Sequence, residues 1–301
     1  MKKIKKLCFL YENRYRNDGA PLYWFEASKK MGYEATHLLP YGDISRFGDF
    51  DAYIHVDYGA DGLPLLEDRI DTPSPSIFVA SDTHLGFDWR LAEALKSDFV
   101  FCNQKRAVDE FKEKGVKNAV WLPHAVEPIA YPRFEITKKF DVCFIGHLQT
   151  AENYNKMTRV DALDRLFKEF PNFYYGSRNP SAPQGYCLFE DAAKKFCQSK
   201  IVFNISIGDD VNMRVFETLS TGSFLLTNWL PTLGELFEDG KHLVTYKTYD
   251  EMIDKAKYYL AHDEEREVIA KAGQKECLEK HTYQNRIKTA LEYVEANIGK
   301  I

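Results

Sequence analysis

The sequence predicts an α/β chain made of two successive doubly wound parallel sheets. Three observations predict it. Short apolar runs alternate with helical patterns through the first half, and the same alternation starts afresh near residue 140. The 301 residues, 45% of them hydrophobic, suffice for two domains of about 150 residues each.

The first strand is expected at Lys6 to Tyr11, followed by a helix near Leu22 to Met31 and strands at Ala35 to Leu39 and Ala52 to Val56. Ser76 to Ala80 and Phe99 to Cys102 extend the sheet, with a helix near Arg90 to Leu95 between them. A helix from Lys105 to Lys114 then leads to a strand at Ala119 to Leu122. The segment from His124 to Lys139 carries Pro128 and Pro132 without an apolar period, so it reads as a linker. In the second half, Phe140 to Gly146 is a strand closed by glycine, Thr158 to Phe170 a helix and Asn172 to Tyr175 a short strand. A loop with Gly176, Pro180, Pro183 and Gly185 follows. Ala192 to Gln198 reads as a helix, Ile201 to Ile205 as a strand, Val215 to Ser220 as a helix stopped by Gly222, and Phe224 to Thr227 as a strand. Thr248 and Glu251 have capping-box spacing and open a helix whose Met252, Ile253, Ala256, Tyr259 and Leu260 share one face. The rest is expected to be helical. The boundary is expected after residue 133, with two Rossmann-like domains facing each other across a cleft at the carboxyl ends of their strands.

Forty Lys and Arg against 45 Asp and Glu give a net charge of −5 and a pI near 6.0. This argues against gripping nucleic acid or an anionic membrane by bulk charge. No run approaches the roughly 18 apolar residues of a membrane span, and a soluble, cytoplasmic protein is expected. The six cysteines form no C-x-x-C pair and read as reduced core residues. Neither first strand is followed by G-x-G-x-x-G, and G-x-x-x-x-G-K-[ST], G-x-S-x-G and H-E-x-x-H are absent. Dinucleotide enzymes, P-loop NTPases, α/β-hydrolases and zincins thereby lose their usual support.

The segment from Gly208 to Thr227 carries the chemistry. A strand leads through a glycine loop into a helix, so free backbone N–H groups and the positive helix end suit a phosphate, and Asn212 and Met213 are counted with the donor-binding residues. Arg214 adds a planar fork matched to a diphosphate. Glu217, one turn later, can accept hydrogen bonds from both ribose hydroxyls, and Asp209 can hold hydroxyls of an attached sugar. Gly146 and His147 close the second domain's first strand, where a small residue admits a diphosphate and an imidazole can bind it. In the first domain, Asp82 and His84 follow the strand ending at Ala80; either can contact the transferred sugar or deprotonate an acceptor hydroxyl. The stretch from Tyr11 to Trp24, including Asn13, Arg14, Tyr15 and Asp18, is assigned to the acceptor side, its aromatics suiting stacking. No metal cluster is expected; Asp209 and Asp210 are the one hint of a metal-binding acidic pair.

The run Asn212-Met213-Arg214-Val215-Phe216-Glu217 through Gly222, with Leu236-Phe237-Glu238-Asp239-Gly240, Tyr258 to Arg266 and His281-Thr282-Tyr283, resembles the CgeB-type spore-protein glycosyltransferases. These stand among the GT-B glycosyltransferases of the group 1, or family 4-like, class. The resemblance is strong over about residues 140 to 290 and extends through Ser81-Asp82-Thr83-His84 and Trp121-Leu122-Pro123. It implies a donor site on domain 134–283 and an acceptor site on domain 1–133, the latter completed by the final helix, 284–301. Glu217 matches the second Glu of the E-x7-E common in family 4, while the first position is Asp209, one methylene shorter. For the Arg and Lys pair that usually neutralises the donor diphosphate, the candidates are Lys156, Arg159 and Arg178. The expected function is hexose transfer from a nucleoside diphosphate sugar, first a UDP-sugar, to an acceptor hydroxyl, with retention and without metal or cofactor. The acceptor is left among a polysaccharide, a protein, a small molecule or a modified DNA base. A GT-B-fold nucleotide-sugar epimerase and a non-catalytic nucleotide-sugar binder are the rival readings.

Overall fold

The computed structural model describes residues 3–11, 19–39, 48–57, 72–148, 150–177 and 187–301. The chain divides into two units, Met1–Pro123 with Tyr283–Ile301, and His124–Thr282.

In the first unit the described residues give six parallel strands: β1 (Lys6–Leu10), β2 (Glu34–Leu38), β3 (Ala52–Val56), β4 (Ser76–Ala80), β5 (Phe99–Cys102) and β6 (Ala119–Trp121). Helices α1 (Ala20–Lys30), α2 (Phe87–Lys96) and α3 (Lys105–Glu113) join them, and the spatial order is β2-β1-β3-β4-β5-β6. Every residue of β3, β4 and β5 is buried, as a parallel strand covered on both faces requires.

The second unit repeats the plan with β7 (Phe140–Ile145), α4 (Arg159–Glu169), β8 (Phe173–Gly176), α5 (Phe189–Cys197), β9 (Ser199–Asn204), α6 (Met213–Ser220), β10 (Leu225–Asn228), β11 (Val244–Tyr246), α7 (Tyr249–Ala261) and α8 (Asp263–Lys280). The order is β11-β10-β9-β7-β8, again all parallel. Successive side chains of a strand point to opposite faces, and the core divides accordingly. Val142, Phe144, Ile201, Phe203 and Leu226 pack with Leu163 and Leu166 of α4 and Met252 and Ala256 of α7. Cys143, Ile145, Val202 and Leu225 pack with Phe196 of α5 and Phe216 and Leu219 of α6. Both sheets therefore reverse direction at their first strand. Loops leaving β7 and β9 diverge to opposite faces, and between them lies the crevice where ligands bind doubly wound sheets.

Local signals set the helix ends. Thr158 Oγ1 accepts the Asp161 amide at 3.1 Å, and Thr248 Oγ1 accepts that of Glu251, also at 3.1 Å. Glu251 returns its carboxylate to the Lys247 amide at 2.7 Å, one residue outside the expected box. Gly222 ends α6 at φ 67°, its N–H donating to the Leu219 carbonyl at 2.9 Å.

The last helix, α9 (Tyr283–Asn297), belongs to the first unit. Tyr283 packs on Tyr23 of α1 with centroids 5.3 Å apart, Tyr293 meets Phe99 and Phe101 edge-on, and Glu295 accepts the Ile4 amide at 2.8 Å. The boundary between units falls at Pro123/His124, ahead of the expected residue 133. The supposed linker starts as part of the second unit: Val126 donates to the His281 carbonyl at 3.0 Å, and Tyr131, 2% exposed, accepts the Ser220 hydroxyl on its carbonyl at 3.0 Å. The short strand β11 was not anticipated. All six cysteines are buried thiols outside any disulfide, and among the described residues no helix is long and apolar enough to cross a membrane.

Helix α8 packs closely on α6 and on the segment before β11 through a glycine. A Cβ on Gly273 would overlap the His242 carbonyl oxygen and sit 2.8 Å from Leu219 Cδ2. Gly273→Ala is expected to cost about 1–3 kcal/mol, read as a lower midpoint in chemical denaturation, because the backbone of α8 must back away from the His242 carbonyl.

Candidate functional site

The crevice of the second unit is built by the residues after β7 and β9. Gly146 follows β7 and is buried; a Cβ there would lie 2.5 Å from Arg214 Nη2 and 3.0 Å from Phe144 Cζ. The glycine was expected to admit a ligand; in the structure it makes room for a guanidinium. Arg214, in the first turn of α6, donates from Nη1 to Asn204 Oδ1 at 3.0 Å and lies 5.0 Å from the Phe144 ring centre. Asn204, at the end of β9, is fully buried and held by every polar atom of its side chain: Oδ1 also accepts Asn212 Nδ2 at 3.2 Å, and Nδ2 donates to Thr227 Oγ1 at 2.9 Å. Tyr246 of β11 donates its hydroxyl to the Asn204 carbonyl at 2.8 Å. The strand end, not the helix, thus aims Arg214.

A second guanidinium shares the ring. Arg159 opens α4, is 7% exposed and lies 5.9 Å from the Phe144 centre. Its Nε donates to the Ile205 carbonyl at 3.0 Å and its Nη1 to that of His147 at 3.1 Å. Burial, then the Arg214 charge, pushes Arg159 down to about 9, with Asp210 opposing. Burial also lowers Arg214, although the residue keeps some exposure, and Glu217 pulls it back up. Neither arginine forms an ion pair with a described residue. Asn212 stands at the N-cap of α6 but turns its amide to Asn204, so its own side chain does not cap the helix start. Two positive forks and an uncapped helix end converge on one strand edge, which is the arrangement that stabilises a multiply charged anion.

Glu217 sits one turn behind Arg214 and is 8% exposed, and Met213 is part-buried. Asp209 lies part-buried in the loop after Gly208, whose φ is 58°. That loop is fixed from the β7 side: the Tyr154 amide donates to the Gly208 carbonyl at 2.7 Å. The His147 side chain is exposed, and its contribution to the arginine pair is the backbone carbonyl. Arg178 lies outside the described residues. Of the three candidates for the family's Arg and Lys pair, the structure places Arg159 beside Arg214 on Phe144, while Lys156 is exposed and pairs with Glu152 at 3.6 Å.

In the first unit, Asp82 and His84 occupy a turn after β4. Asp82 is part-buried at φ 45°, ψ 42°, a left-handed conformation uncommon outside glycine, and His84 is exposed. The turn is held from below. Asp57, at the end of β3, accepts the Ser81 amide at 3.0 Å and Arg90 Nε at 2.6 Å. Arg90, with no exposed surface, donates onward to the carbonyls of Leu85 and Gly86 at 3.1 and 3.2 Å. Gln104 Oε1 takes both the amide and hydroxyl of Thr83 at 3.2 Å. Asn13, Arg14, Tyr15 and Asp18 lie outside the described residues. Of the aromatics flanking them, Tyr11 stacks on His37 at 3.9 Å, and Tyr23 and Trp24 are 4% and 2% exposed. These rings serve the core rather than an acceptor surface.

Residues 158–292, a little under half of the chain, match the model of the family described as glycosyl transferase-like. No curated protein matches the sequence. Sucrose-phosphate synthase from Thermosynechococcus elongatus is 7% identical, with a TM-score of 0.63 over 99% of this chain and 100% of its own. Anabaena HepE, solved with UDP and glucose, is 11% identical, with a TM-score of 0.61 over 97% of this chain and 100% of its own. A mutant of S. aureus TarM, solved with fondaparinux, α-GlcNAc-glycerol and UDP, is 13% identical, with a TM-score of 0.56 over 80% of this chain and 55% of its own. The chain spans about half the length of TarM and all of the other two. These likenesses show the fold: an α/β chain of two Rossmann-like domains, the fold of the GT-B glycosyltransferases.

Replacing Arg90 by Leu leaves the Asp57 carboxylate buried without its charge partner. Thermal and urea unfolding are expected to show a loss of about 3–5 kcal/mol.

Proposed function

We propose that the chain is a glycosyltransferase, of the group 1 class that includes the CgeB type, moving a hexose from a nucleoside diphosphate sugar to an acceptor hydroxyl. The observation that carries this reading is the pair of guanidiniums, Arg159 and Arg214, gathered on Phe144 beside an uncapped helix start. When the bond from the anomeric carbon to the β-phosphate breaks, negative charge grows on the departing diphosphate; the two forks and the helix end stabilise it there. Glu217 accepts the ribose hydroxyls, Asp209 holds the sugar, and Asn212, Met213, Gly146 and His147 shape the floor. The match of residues 158–292 to the glycosyl transferase-like family supports the assignment. The UDP in the HepE and TarM structures makes UDP the first nucleotide to try.

The acceptor side is assigned to the first unit. Asp82, held in a strained turn by Asp57, Arg90 and Gln104, and the exposed imidazole of His84 are the polar groups offered to the sugar and the acceptor hydroxyl. The reaction retains the anomeric configuration and uses no metal, the arginines taking the electrostatic role of a divalent ion.

Incubation with UDP-glucose and candidate acceptors tests the reading. Transfer requires release of UDP together with a glycosylated acceptor. A new nucleotide sugar formed without acceptor would instead define an epimerase, and tight binding without product under every acceptor a binder.

Glu217→Ala is expected to weaken UDP binding by about 1.5–3 kcal/mol, roughly ten- to 150-fold in Kd, measured by calorimetry. Because Glu217 is buried, Glu217→Gln serves as the fold control; unchanged affinity in both variants would remove the ribose assignment. Turnover is expected to persist in excess EDTA. Loss of turnover that Mn2+ or Mg2+ restores would move Asp209 and Asp210 from sugar recognition to metal ligation.

A further inference from the structure

Asn204, at the end of β9, receives two donors on one oxygen. Arg214 Nη1 reaches its Oδ1 at 3.0 Å, and Asn212 Nδ2 reaches the same atom at 3.2 Å. Arginine N–H groups only donate, so the atom facing Arg214 has to be the amide oxygen, and this fixes the orientation of the carboxamide. Its nitrogen then faces Thr227 Oγ1 of β10 at 2.9 Å. The main chain is held as well, Tyr246 donating its hydroxyl to the Asn204 carbonyl at 2.8 Å. All three side chains are buried.

The bond to Asn204 is the one hydrogen bond that the Arg214 guanidinium makes to a described residue. Its Nη2 lies over Gly146, where a Cβ would stand 2.5 Å away, and its carbon lies 5.0 Å from the Phe144 ring centre. With a single polar anchor, the direction of the fork depends on where Asn204 Oδ1 stands. The second donor has its own consequence. An asparagine at an N-cap ordinarily turns Oδ1 to the amide of the second or third helical residue. Asn212 instead gives Nδ2 to Asn204, and its Oδ1 has no hydrogen-bond partner. One carboxamide oxygen therefore directs the arginine and holds the cap side chain away from the helix amides. An aspartate has the same shape and would accept the same bonds, yet it would set a negative charge against Arg214 and neutralise it.

We propose that Asn204 is a positioning residue that sets the preference of the donor site for a diphosphate: it aims Arg214 and withholds the Asn212 cap while adding no charge of its own. Thr227 acts with it by fixing the orientation of the amide. The inference rests on the transferase reading and adds to it a pair of residues that touch no substrate.

Calorimetry on the full chain with UDP and with uridine tests it, because uridine lacks the diphosphate. The wild-type chain should bind UDP more tightly than uridine. Asn204→Ala and Asn204→Asp should each reduce that preference by about tenfold, with uridine affinity unchanged. In an Arg214→Met background, Asn204→Ala should lose most of its effect, as a residue acting through Arg214 must. Thr227→Val, close in shape, should shift the preference in the same direction by a smaller factor, and it decides the matter on the same criteria if the Asn204 variants do not fold. The positioning role is overturned if Asn204→Ala leaves the preference unchanged, if it weakens UDP and uridine alike, or if its effect is undiminished in the Arg214→Met background. A wild-type preference in Asn204→Asp overturns the need for a neutral acceptor. Failure of the wild-type chain to prefer UDP over uridine would instead strike the transferase reading.

Discussion

Two guanidiniums packed on one phenyl ring set the terms for the second unit. Moving a charge out of water is costly, and placing a like charge beside it adds to the cost; Arg159 shows both effects. The fold compensates with neutral acceptors, the carbonyls of Ile205 and His147 and the Asn204 amide oxygen, rather than with a carboxylate in ion-pair contact. Fixed in this way, the arginines keep their charge and their direction without being neutralised. Gly146, Asn204 and Tyr246 are then readable as supports: one leaves room for a guanidinium, one aims it and one fixes the strand end that does the aiming.

Much of the architecture was legible in the sequence because it rests on local and periodic signals. Parallel strands buried on both faces read as apolar runs, and Thr158, Thr248 and Gly222 mark helix ends by chemistry that acts within a few residues. Where the reading failed, the cause was an absence of period. Residues 124–133 bury Val126 and Tyr131 from irregular chain, and single apolar side chains in a Pro-containing segment look no different from a solvated linker. Strand β11 is the three residues Val244–Tyr246, with Lys241 and His242 before it and Lys247 and Thr248 after it, so no apolar run marks it as Ala119 to Leu122 marks the equally short β6. The aromatics near the first loop were read as a stacking surface, yet Tyr23 faces Tyr283, a partner 260 residues away that no local rule reveals.

At the site, residue types were more legible than their duties. Arg214 and Glu217 stand out because they open a helix after a glycine loop. Arg159 does not, since an arginine in the first turn of an amphipathic helix ordinarily faces solvent. Only the tertiary placement of α4 on the end of β7 turns it onto Phe144. Asp57 and Arg90 were equally silent, being separated by most of two elements in the sequence.

The two units share one strand order but treat their arginines in opposite ways, and this contrast separates scaffold from site. In the first unit Arg90 is buried against a carboxylate at 2.6 Å, and its other nitrogens close a turn. Charge is balanced within the protein, so nothing remains for a ligand to neutralise; the pair fixes Asp82 in a left-handed conformation that the backbone alone would resist. In the second unit Glu217 acts on Arg214 and Asp210 on Arg159 without an ion-pair contact. Positive charge is left over at the strand edge, beside a helix start that the Asn212 side chain leaves uncapped. A fold built twice from the same plan has thus balanced the charge where it needs a rigid turn and left it unbalanced where an anion gains most from entering.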